Sequence, residues 1–199
     1  MSKTIDYYFS PSSPWTYFGH ARFVAIARAA GAQVNLRPVD YGKVFPVSGG
    51  LPVKSRPPQR QAYRMMELKR WRAHLGMPLN LEPTFFPVAS NDACKIIIAA
   101  EAHGSAMALA LAGAILRACW VEEKNIADHA VLAACADSAG LPGTALMAQL
   151  GDPALTVRFD AYTDQAIAHQ VFGAPTFIVD GELFWGQDRL DFVERVLSR

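Results

Sequence analysis

The sequence predicts an α/β fold in which a small sheet is divided along the chain by a long all-helical insertion. Three observations carry that reading. The opening segment alternates strand, helix and strand. A stretch of about 110 residues then shows helical periodicity and caps with no strand pattern. The last segment returns to two short strands and a closing helix.

The elements follow in order. "TIDYYF" (Thr4 to Phe9) alternates Ile5, Tyr7 and Phe9, the period of a half-buried strand. Ser13 before Pro14 is a helix opening, an N-cap hydroxyl followed by a proline that loses no intrahelical bond there. Phe18, Ala21 and Ala25 continue that helix and Gly31 stops it. "QVNLRPVD" (Gln33 to Asp40) reads as a second strand, so the start is a βαβ unit with parallel strands. Val44 to Gln59 is rich in Pro, Gly and Ser and reads as a long loop. Helices follow: one with Met65, Leu68, Trp71 and Leu75 on a face, one capped by Asn91 or Asp92 and stopped at Gly104, and an alanine-rich one. Another runs from Asp128 to Gly140, a further one follows "LPG", and the last opens at Asp152-Pro153. Thr176 to Val179 and Glu182 to Trp185 flank Asp180-Gly181, a strong hairpin signal. Leu190, Val193 and Leu197 mark the closing helix.

With the helical block removed the order is β-α-β-α-β-β-α, that of a thioredoxin domain. The expected organisation is a discontinuous thioredoxin-like domain of residues 1–45 and 160–199, with residues 46–159 as the helical insertion.

Composition narrows the function. The 199 residues are 51% hydrophobic and 19% charged, enough to bury a substantial core. A net charge of +1 gives no electrostatic case for nucleic acid or an anionic membrane as partner. No apolar run reaches membrane-spanning length, and "MSKTIDYYF" is too polar for a secretory signal, so the expected location is the cytoplasm. Cys94, Cys119 and Cys135 form no C-x-x-C pair, which points away from zinc and from dithiol redox chemistry. Their alanine and aliphatic neighbours mark them as buried, inert thiols.

A thioredoxin order directs attention to two places. One is the start of the first helix, where Ser13 stands and no cysteine is near. Ser13 can be a plain N-cap; it can also donate a hydrogen bond to an anion held at the helix's positive end. A serine makes no mixed disulfide, but it can hold and ionise the sulfur of a bound thiol, as helix starts do for cysteines. The other place is "GAPT". A cis bond before Pro175, which the thioredoxin order raises above its ordinary rarity, would present the Ala174 backbone to an extended, peptide-like ligand.

"SPSSPWTYFG", "LKRWRAHLGMPL", "VFGAPTF" and "WGQDRLDFV" together resemble the 2-hydroxychromene-2-carboxylate isomerase family, related to kappa-class glutathione transferases and DsbA-like thioredoxin proteins. The resemblance covers nearly the whole chain. It implies a DsbA-like thioredoxin core with a helical insertion, glutathione as cofactor, a small aromatic or chromene carboxylate substrate from aromatic catabolism, and a homodimer. It implies Ser13 as the catalytic serine that activates the thiol, and Ala174, Pro175, Trp185, Gly186, Gln187 and Asp188 around glutathione, the Asp188 carboxylate meeting the ligand's ammonium. Asp188 also suits a helix N-cap. Arg60 is a candidate for the glutathione glycine carboxylate, with a solvated charge at a helix start as its alternative. Ala174 and Gln187 replace the more usual Val and Asn or Ser.

The loop departs from the family. Gly50 stands where an Asn is common and brings no side chain. Phe45 stands where naphthalene-pathway members are expected to have a basic residue, with Lys43 close by. Trp15, Phe45, Lys43 and Gly50 are the candidate substrate pocket, with core packing as the alternative for the aromatics; Tyr17 and Tyr63 are expected in the core. The reaction the resemblance implies is cis–trans isomerisation with glutathione as a borrowed nucleophile. Its rivals are a kappa-like transferase, which would consume glutathione, and a non-catalytic thiol-binding protein.

Overall fold

The computed structural model describes residues 3–199. Its strands are β1 (Thr4–Phe9), β2 (Gln33–Pro38), β3 (Thr176–Val179) and β4 (Glu182–Trp185). They form one sheet in the order β2-β1-β3-β4. β1 and β2 are parallel, with Tyr7 opposite Leu36, as the βαβ start requires. β3 runs antiparallel to β1 and pairs with β4 through the Asp180-Gly181 turn. Both turn residues have positive φ, 52° at Asp180 and 81° at Gly181, the geometry that matches the strands' twist.

The helices are α1 (Pro14–Ala29), α2 (Tyr41–Ser48), α3 (Pro58–Leu75), α4 (Asn91–Ala100), α5 (Ser105–Trp120), α6 (His129–Ser138), α7 (Gly143–Ala148), α8 (Pro153–Ala168) and α9 (Leu190–Leu197). This is a thioredoxin-like fold with the expected helical insertion. α8 is continuous through residues 159 and 160.

The alternation in β1 divides the core. Ile5, Tyr7 and Phe9 face the larger apolar cluster, with Phe18 and Phe23 from α1 and Val193 and Leu197 from α9. Tyr7 stacks between Phe9 and Phe177, at centroid distances of 4.6 and 5.3 Å. Tyr8 faces the opposite side, against Val39, Val44 of α2 and Ala166 of α8. Each fully buried aromatic or aliphatic side chain contributes roughly 1.5–3 kcal/mol, so β1 is the element on which both layers depend.

Two expectations change here. The second strand ends at Pro38, because Asp40 already caps α2, its carboxylate accepting from the Gly42 amide at 2.8 Å. The segment read as one long loop from Val44 to Gln59 contains most of α2, a 3₁₀ turn at Val53–Ser55 and the first residues of α3. Pro46 sits inside α2, which is held by its cap and by burial of Val44. Among the described residues, no helix is long and apolar enough to cross a membrane.

Candidate active site

β1 hands over to α1 through a tight turn closed by the Ser13 amide on the Ser10 carbonyl, 3.1 Å. The Ser10 and Ser12 hydroxyls pair with each other at 3.0 Å, and both residues border the same cavity as Ser13. Ser13 has extended backbone angles (φ −84°, ψ 127°), and its Oγ accepts from the Thr16 amide at 3.2 Å. That bond uses a lone pair, so the hydroxyl hydrogen remains available to an anion. No acidic residue lies in the first turn to offset the helix's positive end.

Across from Ser13 lies the bend before β3. The Ala174–Pro175 peptide is cis. The Tyr41 hydroxyl and the Thr176 hydroxyl both donate to the Gly173 carbonyl, at 3.0 and 2.7 Å, and hold the bend in place. The Ala174 N–H and C=O make no hydrogen bond among the described residues. Gly173 is required by packing, because a Cβ there would lie 2.4 Å from the Trp185 Nε1.

Ser13 and Ala174 border one cavity of about 540 Å³, and Ala174 also borders a neighbouring one of about 560 Å³. Trp15, Arg60 and Trp185 line both. Phe45 and Gly50 line the first; Gly186, Gln187 and Asp188 line the second. Gly50 and Phe45 are in close contact, a Cβ at 50 falling 2.4 Å from the Phe45 ring, so the glycine and the aromatic go together. Gly186 has φ +104°, and a Cβ there would meet the Asp188 carboxylate at 2.4 Å. Asp188 is exposed and pairs with Arg189 at 3.2 Å.

Not every residue singled out in the sequence reaches the cavities in the expected way. Lys43 lines neither; it pairs with Asp160 of α8 at 2.8 Å on the surface, because α2 turns it away from Phe45. Gln187 is buried and its side-chain oxygen accepts from Arg22 of α1 at 2.9 Å, which braces the Gln187–Arg189 3₁₀ turn against α1. Tyr63, expected in the core, is 55% exposed and borders the cavity of about 560 Å³. Tyr17 is buried as expected and donates to the Pro78 carbonyl at 2.6 Å. Among the lining residues that were missed are Tyr41, Arg56, Arg64, Phe86 and Phe172. The signal for Arg64 was its spacing of four from Arg60, which puts both on one helical face.

The protein's own sulfurs take no part. Cys94, Cys119 and Cys135 are buried. Burial pushes the Cys119 thiol up to about 12 and the Cys135 thiol to about 11, and raises Cys94 as well. At neutral pH all three are protonated and shielded. Behind the site, His20 accepts from the Tyr7 hydroxyl at Nδ1 (3.1 Å) and donates from Nε2 to the Leu109 carbonyl (3.0 Å). Burial pulls its pKa down to about 4, so it is a neutral structural ring. Among the described residues no His, Cys, Asp and Glu group is arranged to hold a metal ion.

The DSBA-like thioredoxin domain model matches residues 4–198. A curated 2-hydroxychromene-2-carboxylate isomerase from Sphingobium xenophagum is 33% identical over 198 residues, 99% of each chain. The chain belongs to the 2-hydroxychromene-2-carboxylate isomerase family. A solved structure of a 2-hydroxychromene-2-carboxylate isomerase superposes with a TM-score of 0.78 at 26% identity, over 98% of this chain and 95% of that one. Glutathione S-transferase kappa 1 of Homo sapiens is 21% identical over 209 residues, covering 100% of this chain and 92% of its own. The family is one of isomerases, so the chain is an enzyme of that class.

Proposed function

We propose that the protein is a glutathione-dependent cis–trans isomerase of the 2-hydroxychromene-2-carboxylate type. The single observation that supports this most is Ser13: a hydroxyl with a free hydrogen, at an uncompensated helix start, bordering a cavity that no cysteine of the chain reaches.

The residues present fit the tripeptide. Ala174 offers an unpaired backbone donor and acceptor to its cysteinyl portion. Asp188 offers a carboxylate to its ammonium, and Arg60 a guanidinium to its glycine carboxylate. Trp185 and Gly186 form the wall between them, and Pro175 shapes the bend. Bound glutathione supplies a nucleophilic sulfur able to add to a conjugated double bond and leave again, as a borrowed catalytic group. Ser13 holds that sulfur's negative charge, helped by the α1 dipole. Trp15 and Phe45, with Gly50 packed against the Phe45 ring, give the cavity next to it apolar walls suited to a flat ring. In this reading the enzyme works in the cytoplasm as a homodimer, on an intermediate of aromatic catabolism such as naphthalene breakdown.

Mass balance tests the reaction. With 2-hydroxychromene-2-carboxylate and its ring-opened, carbonyl-conjugated trans isomer as the interconverting pair, equilibrium is reached at glutathione far below substrate concentration, and all the glutathione is recovered. Glutathione consumed one for one with a thioether product would make the protein a kappa-like transferase instead. No turnover of either kind would leave only thiol binding.

A further inference from the structure

Arg60 and Arg64 lie four residues apart on α3, and Arg56 lies just before it. All three border both cavities, and no ion pair among the described residues reaches any of them. The carboxylates on the same walls are already engaged, Glu67 with Arg70 and Asp188 with Arg189.

Arg64 is the unusual member. It is only 9% exposed. Its Nη1 reaches nothing better than the Met65 sulfur at 3.8 Å, and its Nη2 is buried with no hydrogen-bond partner. The guanidinium lies over the Phe86 ring, 5.4 Å from its centroid. Arginine side chains are almost never buried this far without a partner, because an unpaired buried charge is strongly destabilising. Burial, and then the charge of Arg56, pull its pKa down to about 10, which leaves it charged at neutral pH. A purely structural arginine would be expected to come with a carboxylate. This one has an aromatic ring beneath it and an open cavity beside it.

We infer that Arg64, assisted by Arg56, is the receptor for the carboxylate of a flat, conjugated organic acid bound as second substrate. The flatness follows from the rest of that cavity: Trp15, Tyr41, Phe45, Phe86 and Phe172 all border it. Arg60 is exposed and suited to the tripeptide, whereas Arg64 is buried and suited to the acid. The inference rests on the reading that the cavity beside Ser13 is the reaction site, and it adds which residue reads the substrate's charge.

The test uses trans-cinnamate and its uncharged isostere trans-cinnamamide, titrated by tryptophan fluorescence with and without saturating S-methylglutathione, which cannot react. The wild type prefers the acid by about tenfold or more, the value of a charge-assisted hydrogen bond. Arg64→Met, which keeps the packing on Phe86, reduces that preference to within about twofold, and S-methylglutathione affinity stays unchanged. Arg56→Gln, at a half-buried position whose Nε donates to the Leu51 carbonyl at 2.9 Å, lowers the preference by about threefold and keeps the proposal testable if Arg64→Met does not fold. A wild type with no preference for the acid overturns the inference. So does an Arg64→Met protein that keeps the preference, or one that loses S-methylglutathione affinity instead. Failure of the wild type to bind S-methylglutathione counts against the thiol reading alone, because the acid–amide comparison is also made without it.

Discussion

Ser13→Ala removes two interactions whose sizes can be worked out separately. The first is the cap: Oγ accepts from the Thr16 amide at 3.2 Å, and losing such a cap costs about 1 kcal/mol of stability. The second is the bond donated to a bound thiolate. Hydrogen bonds to charged groups contribute roughly 1.5–3 kcal/mol, which at about 1.36 kcal/mol per unit corresponds to one to two pKa units. The sign follows from which form is stabilised. The donor favours the thiolate, so it holds the bound thiol below its free value of about 8.5, and its removal lets that value rise again. With a shift of about two units, the bound sulfur passes at neutral pH from mostly ionised to mostly protonated; with about one unit, the ionised share falls from roughly a quarter to a few per cent. The assay is a pH titration of the thiolate ultraviolet absorbance of enzyme-bound glutathione, run beside a thermal melt. Ser13→Ala shifts both; Ser13→Thr, which keeps hydroxyl and cap, shifts neither appreciably. A bound-thiol pKa identical in wild type and Ser13→Ala, with only the melting temperature lowered, would reduce Ser13 to a helix cap and refute the reasoning.

Three further outcomes follow from the same geometry. Gly50→Ala drives a Cβ into the Phe45 ring and destabilises the fold by about 1–3 kcal/mol in denaturant titrations; adding Phe45→Ala costs less than the sum of the two single changes, because the clash is gone. His20, held neutral by burial with a pKa of about 4 against an ordinary 6.5, binds its proton more readily unfolded than folded. Stability therefore falls as the pH drops below 6.5, by roughly 2 kcal/mol at pH 5, and levels off below pH 4; His20→Gln flattens that slope in the same denaturant assay. Asp188→Asn weakens glutathione binding by about tenfold in calorimetry but leaves the binding of glutathione lacking its γ-glutamyl amino group unchanged.

Much of the fold was legible because local signals and tertiary packing agreed. Alternation in Thr4–Phe9 sends Tyr7 and Tyr8 to opposite layers, and both are buried there. Ser13-Pro14 and Asp152-Pro153 open helices, and Asp180-Gly181 turns a hairpin, for reasons that reside in a few adjacent residues. α2 was illegible because Pro46 and the Ser48-Gly49-Gly50 run are loop signals. What makes it a helix is Val44 entering a cluster with Tyr8, Val39 and Ala166, a contact made across the sequence. The boundary drawn at residue 160 cuts α8 for a similar reason: nothing local marks residue 159 or 160 as special.

The site divides the same way. Ser13, Ala174, Pro175 and Asp188 sit at element ends that the fold order itself points to. Lys43 lies two positions from Phe45, but on a helix that spacing turns side chains apart, and it found Asp160 instead. Gln187 was read as a ligand contact; it borders the cavity, and its side-chain oxygen also accepts from Arg22, a partner 165 residues away in sequence. Arg64 was passed over because a basic residue on a helix reads as solvated; its burial exists only once Phe86 is packed beneath it.

The claim on which the account depends is that the protein ionises a thiol it does not own. Calorimetric titration of the wild type with glutathione at pH 7, repeated in buffers of different ionisation enthalpy, measures it directly. A free thiol is almost wholly protonated at that pH, so capture as the thiolate must release a proton. The account predicts saturable binding with a substantial fraction of a proton, roughly 0.2–0.7 for a shift of one to two units, released per glutathione bound. Saturable binding without proton release, or no saturable binding, would contradict it.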